Sequence, residues 1–170
     1  MRLLAAIGFI AIVIAAGAAV FFFGGYFNIA ANEENPSIVN WALVKVRMAS
    51  VSNHGRGLAA PGNLDDPATI QAGARAFAAR GCINCHGAPG LNWQKFSEGL
   101  NPDPPDLKEV APHREPGELF FVVRNGIEMT GMPSFAVAGV DDQEIWKIVA
   151  FVRKFPTVSD ADFKAWTANP

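Results

Sequence analysis

Hydrophobic and polar positions divide this chain into three stretches. From Leu3 to Phe27 no residue is charged, a run of 25 positions. As a helix it reaches roughly 37 Å, enough to cross the ~30 Å hydrocarbon layer of a bilayer with some tilt. A cleavable signal has an apolar run of about 7–15 residues and then a small-residue cleavage site. Here the apolar text continues through VFFFGGYF, past the small residues Ala16 to Ala19. The pattern predicts an uncleaved anchor over 1–30. Arg2 precedes it and Glu33 and Glu34 follow, which places the amino terminus in the cytoplasm and the bulk of the chain outside.

The second stretch, 31–66, predicts an amphipathic helix and a linker. Asn35 suits an N-cap and Pro36 the first helical position. Ile38, Trp41, Val44, Met48 and Val51 fall on one side, with Asn40, Arg47 and His54 on the other. Such a helix either packs on the domain that follows or lies in the lipid interface or against a membrane partner. GRGLAAPGNLDDP has no periodicity and reads as the linker.

The third stretch, 67–170, predicts a globular unit. Asp66 and Pro67 start a helix with Ile70, Ala74 and Phe77 at helical spacing, and Gly81 ends it. Between Gly87 and Pro116 the text is loop-like, because the prolines of NPDPPDL oppose both helix and central strand. A short helix is expected from Pro116 to Arg124, with Leu119 and Val123 on one face and Gly126 near its end. MTGMPSF then makes a tight loop. DDQEIWKIVAFVRKFP carries the strongest helical pattern, opened by Asp141 and Glu144 as a capping box and closed before Pro156. A last short helix spans Asp160 to Trp166. No alternating strand pattern and no internal repeat occurs, so the fold class is all-α.

Charge adds mainly an exclusion. From residue 67 onward ten Lys plus Arg face twelve Asp plus Glu, a balance of −2. With no basic stripe, nucleic acid is not an expected partner.

The chemistry concentrates in RGCINCHG, which holds both cysteines. A structural zinc site wants four side-chain ligands, and only His54 and His113 remain outside the motif. A thioredoxin-like pair opens a helix after a strand, whereas this one follows a helix. A disulfide across two residues closes so short a loop that it stabilises little. Covalent haem uses every residue of the motif. Two thiols add to the two vinyl groups on one edge of the macrocycle, and the next imidazole reaches the iron. Cys82 and Cys85 are thus the expected attachment points and His86 the proximal ligand of one covalent haem c.

A sixth ligand is expected downstream. Methionine sulfur is a soft neutral donor that favours reduced iron and raises the potential. Met129 and Met132 lie three apart in one loop. Met132 is preferred because Pro133 stiffens the turn after it, with Met129 as the alternative. His54 and His113 are outside candidates, and Met48 belongs to an apolar stripe.

From about Pro67 to Pro156 the chain resembles the class I c-type cytochromes, most closely the bacterial membrane-anchored monohaem group related to oxidase-associated cytochrome c subunits. CINCH, PPDL, NGIEMTGMPSF and EIWKIVAFVRKF carry the likeness. The resemblance implies a class I cytochrome c domain wrapped around one haem. It makes Pro105 the carbonyl acceptor for the His86 N–H and Leu107 a haem-packing residue. It also implies a helix crossing in which Gly73 and Phe77 meet Trp146 or Phe151. Haem attachment outside the bacterial cytoplasm then puts the haem domain on the periplasmic side of the inner membrane, single-pass.

The expected function is electron transfer with no enzymatic turnover of its own. The expected partners are membrane lipid and redox proteins such as a quinol-oxidising complex, a dehydrogenase or a terminal oxidase. A permanent subunit of a larger oxidoreductase is the alternative within that class. A haem enzyme or gas sensor with a labile sixth ligand is the alternative outside it.

Overall fold

The computed structural model describes residues 2–168 and contains, among them, helices and no β-strand; Ala88 and Leu91 form one isolated bridge. The chain divides into two compact units, 1–34 and 35–170.

The first unit contains the helix α1 (Arg2–Phe23), strongly apolar and with no buried residue. By length and composition it can cross a membrane.

In the second unit the principal helices are α2 (Ser37–Gly55), α3 (Pro67–Ala79), α6 (Pro116–Asn125), α7 (Asp142–Lys154) and α8 (Asp160–Thr167). Between them lie two single α-turns, α4 (Ile83–His86) and α5 (Leu107–Val110), and the 3-10 turns Lys95–Gly99, Ala111–His113 and Phe155–Thr157. The core is the crossing of α3 and α7. A Cβ on Gly73 would overlap the Lys147 carbonyl oxygen and sit 3.0 Å from the Phe151 Cβ, so only glycine lets the two backbones approach this closely. Phe77 meets Phe151 edge-on at 5.2 Å between ring centroids, and Phe155 and Phe163 extend the aromatic cluster. All four rings are fully buried, each contributing about 1.5–3 kcal/mol of apolar burial. Phe151 is therefore the partner of Gly73 and Phe77. Trp146, the alternative partner, faces another way and stacks on Phe120 at 4.2 Å.

Three other local expectations are corrected. Asn35 does not cap α2. Pro36 is extended (φ −49°, ψ 138°), so the helix begins at Ser37 without a side-chain cap. The pattern at Asp141 is only half a capping box. Asp141 accepts from the Glu144 N–H, but the Glu144 carboxylate turns to Arg80, just past the end of α3, in a two-pronged pair at 2.7 and 3.0 Å. The stretch after Gly87 is not all loop: Asp106 accepts from the Lys108 N–H at 2.8 Å and starts α5 as soon as the prolines end.

The carboxyl-terminal half of α2 packs on α6. Gly55 lies against the backbone of Gly117 and Glu118, where a Cβ would come within 2.6 Å of the Glu118 Cα. Ser52 Oγ donates to Glu118 Oε1, whose carboxylate is also 3.8 Å from Arg114. His54, expected on the polar face, instead stacks on Phe121 at 5.2 Å.

Candidate functional site

The turn that presents Cys82, Cys85 and His86 follows from how α3 ends. Gly81 takes φ +77°, a conformation open to glycine, and reverses the chain. The Cys82 N–H then donates to the Phe77 carbonyl at 3.1 Å, tying the motif to the aromatic core. One helical turn follows, closed by His86 N–H to Cys82 O at 3.0 Å. Both thiols are half-buried and neither is in a disulfide.

His86 is oriented by one bond: its Nδ1 lies 3.1 Å from the Pro105 carbonyl oxygen. A carbonyl only accepts, so Nδ1 carries the proton and Nε2 keeps its lone pair. Burial pushes the imidazole below its ordinary pKa, while the Pro105 carbonyl acts the other way. The ring is thereby held as a neutral, single-tautomer donor, which is the form that binds a metal. Leu107, two residues past Pro105, is buried in the cluster that contains Phe77 and Phe151.

Burial pushes the Cys82 thiol up to about 12. A redox dithiol needs a lowered pKa to supply its attacking thiolate, and Cys82 is shifted the opposite way. Among the described residues no group of three or more His, Cys, Asp or Glu could hold a metal ion, so a structural zinc site lacks its ligand set. The donors present are instead two unpaired thiols, one oriented imidazole and a thioether. That set fits a haem.

The thioether comes from the loop after α6. Met132 is half-buried and packs, with Cys82, against the cluster of Phe120, Phe135, Val140, Ile145 and Val149. Met129 is 93% exposed and takes φ +57°. The structure thus brings Met132 and the cysteine turn to one apolar cluster and leaves Met129 in solvent. His54 is engaged on α2 with the Ser50 carbonyl, and His113 is exposed in a turn; neither joins the site.

Sequence reasoning missed the side chains that shape this loop. Thr130 Oγ1 donates to the Ile127 carbonyl at 2.7 Å and accepts from the Met132 N–H at 3.1 Å. Ser134 Oγ donates to the Arg124 carbonyl at 2.9 Å. Gly126, at φ +70°, lets the segment from Met132 to Ser134 lie directly on the end of α6. The readable signal was a hydroxyl residue on either side of Met132, since Ser and Thr commonly bond back to nearby backbone in turns.

Residues 68–152 match the family described as Cytochrome C oxidase, cbb3-type, subunit III. The chain belongs to this family. The match covers half the chain and includes the cysteine turn, Pro105, Leu107 and Met132. No curated protein matches, and no solved structure does. Membership makes this unit a c-type cytochrome domain, related to oxidase-associated cytochrome c subunits, whose family chemistry is haem-based electron transfer.

Proposed function

We propose that this member of the family is a membrane-tethered carrier of single electrons built on one covalent haem c. Cys82 and Cys85 would carry the thioether links, and His86 Nε2 and Met132 sulfur would be the residues that hold the iron. The haem domain spans 67–170, the anchor 1–30, with α2 and its linker between them. The observation that carries the reading is the Nδ1 bond of His86 to Pro105, which frees Nε2 beside two unpaired thiols.

When bound, the haem iron supplies a one-electron ferrous–ferric couple. The chain's residues do the rest. The Pro105 carbonyl fixes the tautomer and raises the basicity of His86. Leu107 and the Phe120 cluster would keep water from the group, and Met132 as a ligand would favour its reduced state. The domain itself turns over no substrate. Electrons pass between a donor such as a quinol-oxidising complex or dehydrogenase and an acceptor such as a terminal oxidase, on the periplasmic side of a bacterial inner membrane.

Two measurements test this. Denatured protein freed of loose pigment should retain haem mass on the peptide holding Cys82 and Cys85; a bare peptide overturns the reading. Met132→Ala should abolish the weak far-red charge-transfer band of methionine-ligated ferric iron, and Met129→Ala should leave it intact; the reverse result moves the ligand to Met129.

The family's own description favours a second reading, a permanent subunit of a larger oxidoreductase. Mass measurement after purification in mild detergent separates the two. A carrier comes off alone, and a subunit arrives with its complex.

A further inference from the structure

The first three turns of α2 are apolar around most of their circumference, yet only one side is covered. Val44, Met48 and Val51 lie on the side that packs, with Val51 buried and Met48 within 3.4 Å of the Arg114 guanidinium. The opposite side stands free. Ile38, expected with Val44 and Met48, is 68% exposed on this side, with Leu43 55%, Val46 69% and Val39 also open; Trp41, exposed as well, lies near Met48 on the other side. A helix that is hydrophobic on all sides is normally covered on all sides.

The charges say what would cover it. At 3.6 residues per turn, Lys45 falls on one edge of the open apolar stripe and Arg47 on the other. Between residues 35 and 64 there is no acidic residue, while Lys45, Arg47 and Arg56 are present; Glu33 and Glu34 come just before. An apolar stripe flanked by long cations matches a bilayer interface. The cations reach headgroup phosphates while their stems lie along the apolar face. Only thirteen residues separate α1 from α2, so the chain can span at most about 45 Å between them.

We infer that the Ile38, Leu43 and Val46 side of α2 is immersed in the headgroup layer of an anionic phospholipid bilayer, so that the haem unit is held at the membrane by a second contact. This rests on the anchored reading above. Docking of α2 restrains the haem unit through the Gly55 and Glu118 contacts on α6, which limits the orientations it can offer to a redox partner.

The test uses the full-length haem-loaded protein in nanodiscs made from phosphatidylcholine alone or mixed with phosphatidylglycerol. The photocrosslinker p-benzoylphenylalanine replaces Leu43, Val46 or, as the aqueous control, Val137, which is 89% exposed on the haem unit. Lipid adducts should form at 43 and 46, several-fold above 137. Their yield should fall several-fold without phosphatidylglycerol, or in a Lys45→Gln/Arg47→Gln variant whose haem spectrum is unchanged. Equal yields at the three positions, or adducts to a second copy of the chain, overturn the inference. A yield indifferent to lipid charge overturns its anionic component. Extraction of the protein by alkaline carbonate would instead remove the anchor reading itself, and the inference with it.

Discussion

Two walls meet at the site, and they are built by different means. The wall behind His86 is a helix crossing, α3 against α7, in which Gly73 rests on the Lys147 backbone and four phenylalanine rings fill the space around it. The wall that offers Met132 is a loop, held on the end of α6 by Thr130, Ser134 and a glycine with φ +70°. The first is non-directional packing shared with the whole core. The second is a set of directional bonds that few other residues depend on. Damage to the first should therefore cost the fold, whereas damage to the second should cost a ligand.

The largest effect is expected at Gly73. In Gly73→Val the added atoms meet backbone, which cannot swing aside as a side-chain tip can, so α3 and α7 must separate. The cost should reach or exceed the ~3 kcal/mol upper range of ordinary overpacking. Against a domain stability of about 5–15 kcal/mol, that leaves a poorly populated native state. Denaturant unfolding should show a strongly lowered midpoint together with reduced haem content. A midpoint close to wild type would mean that the crossing is looser than its geometry implies.

Gly126→Ala comes next and sharpens the contrast. Its Cβ would lie 2.6 Å from the Pro133 carbonyl carbon and 2.7 Å from the Met132 oxygen, at a φ that side chains rarely adopt. Strain of this kind costs about 1–3 kcal/mol. It falls on a loop, so the far-red methionine band should weaken markedly while the unfolding midpoint moves less than in Gly73→Val. If both variants lowered the midpoint alike and left the band intact, the two walls would not be separable.

The same contrast explains what could be read from the sequence. The His86 wall is legible because its parts are short-range or periodic. The two thiols and the imidazole fall within five consecutive positions, and Ile70, Ala74 and Phe77 repeat at helical spacing. The Met132 wall is legible only as two methionines near a proline. Choosing between them needs the fold, because burial of Met132 depends on Phe120, Phe135 and Ile145, which come from three different segments. Expectations failed where a side chain had two possible partners. Glu144 fits a capping box locally, but Arg80, just past the end of α3, offers two charged hydrogen bonds and takes it. The crossing expected with Trp146 or Phe151 is met by Phe151, because five positions of helical rotation, rather than ring chemistry, decide which one faces Gly73. Likewise the polar face assigned to α2 was read without α6, whose Phe121 claims His54.

The smallest effect is expected at that diverted glutamate, and it asks whether the first wall owes anything to charge. Hydrogen bonds from Arg80, and then its positive charge, hold the Glu144 carboxyl below the ordinary 4.5, with burial opposing. A carboxylate whose folded-state pKa lies below its unfolded value contributes stability that is fully present above 4.5 and disappears as pH falls through the folded value. Glu144→Gln should therefore be slightly less stable than wild type at neutral pH, with the two curves converging on the acid side. The effect is small because the pair is open to solvent, at 41% and 26% side-chain exposure, and added salt should shrink it further. Asp65, held low by Lys154 and then Arg153, titrates on the same limb, so the informative quantity is the difference between variant and wild type. Glu144 also sits in the first turn of α7, where any negative charge is favourable. Arg80→Gln separates the two causes: it should reproduce the acid-limb change if the clasp is responsible and leave it alone if the helix terminus is. Should either substitution destabilise the domain more than Gly126→Ala does, the first wall is ionic as well as packed, and the division between the walls has been drawn in the wrong place.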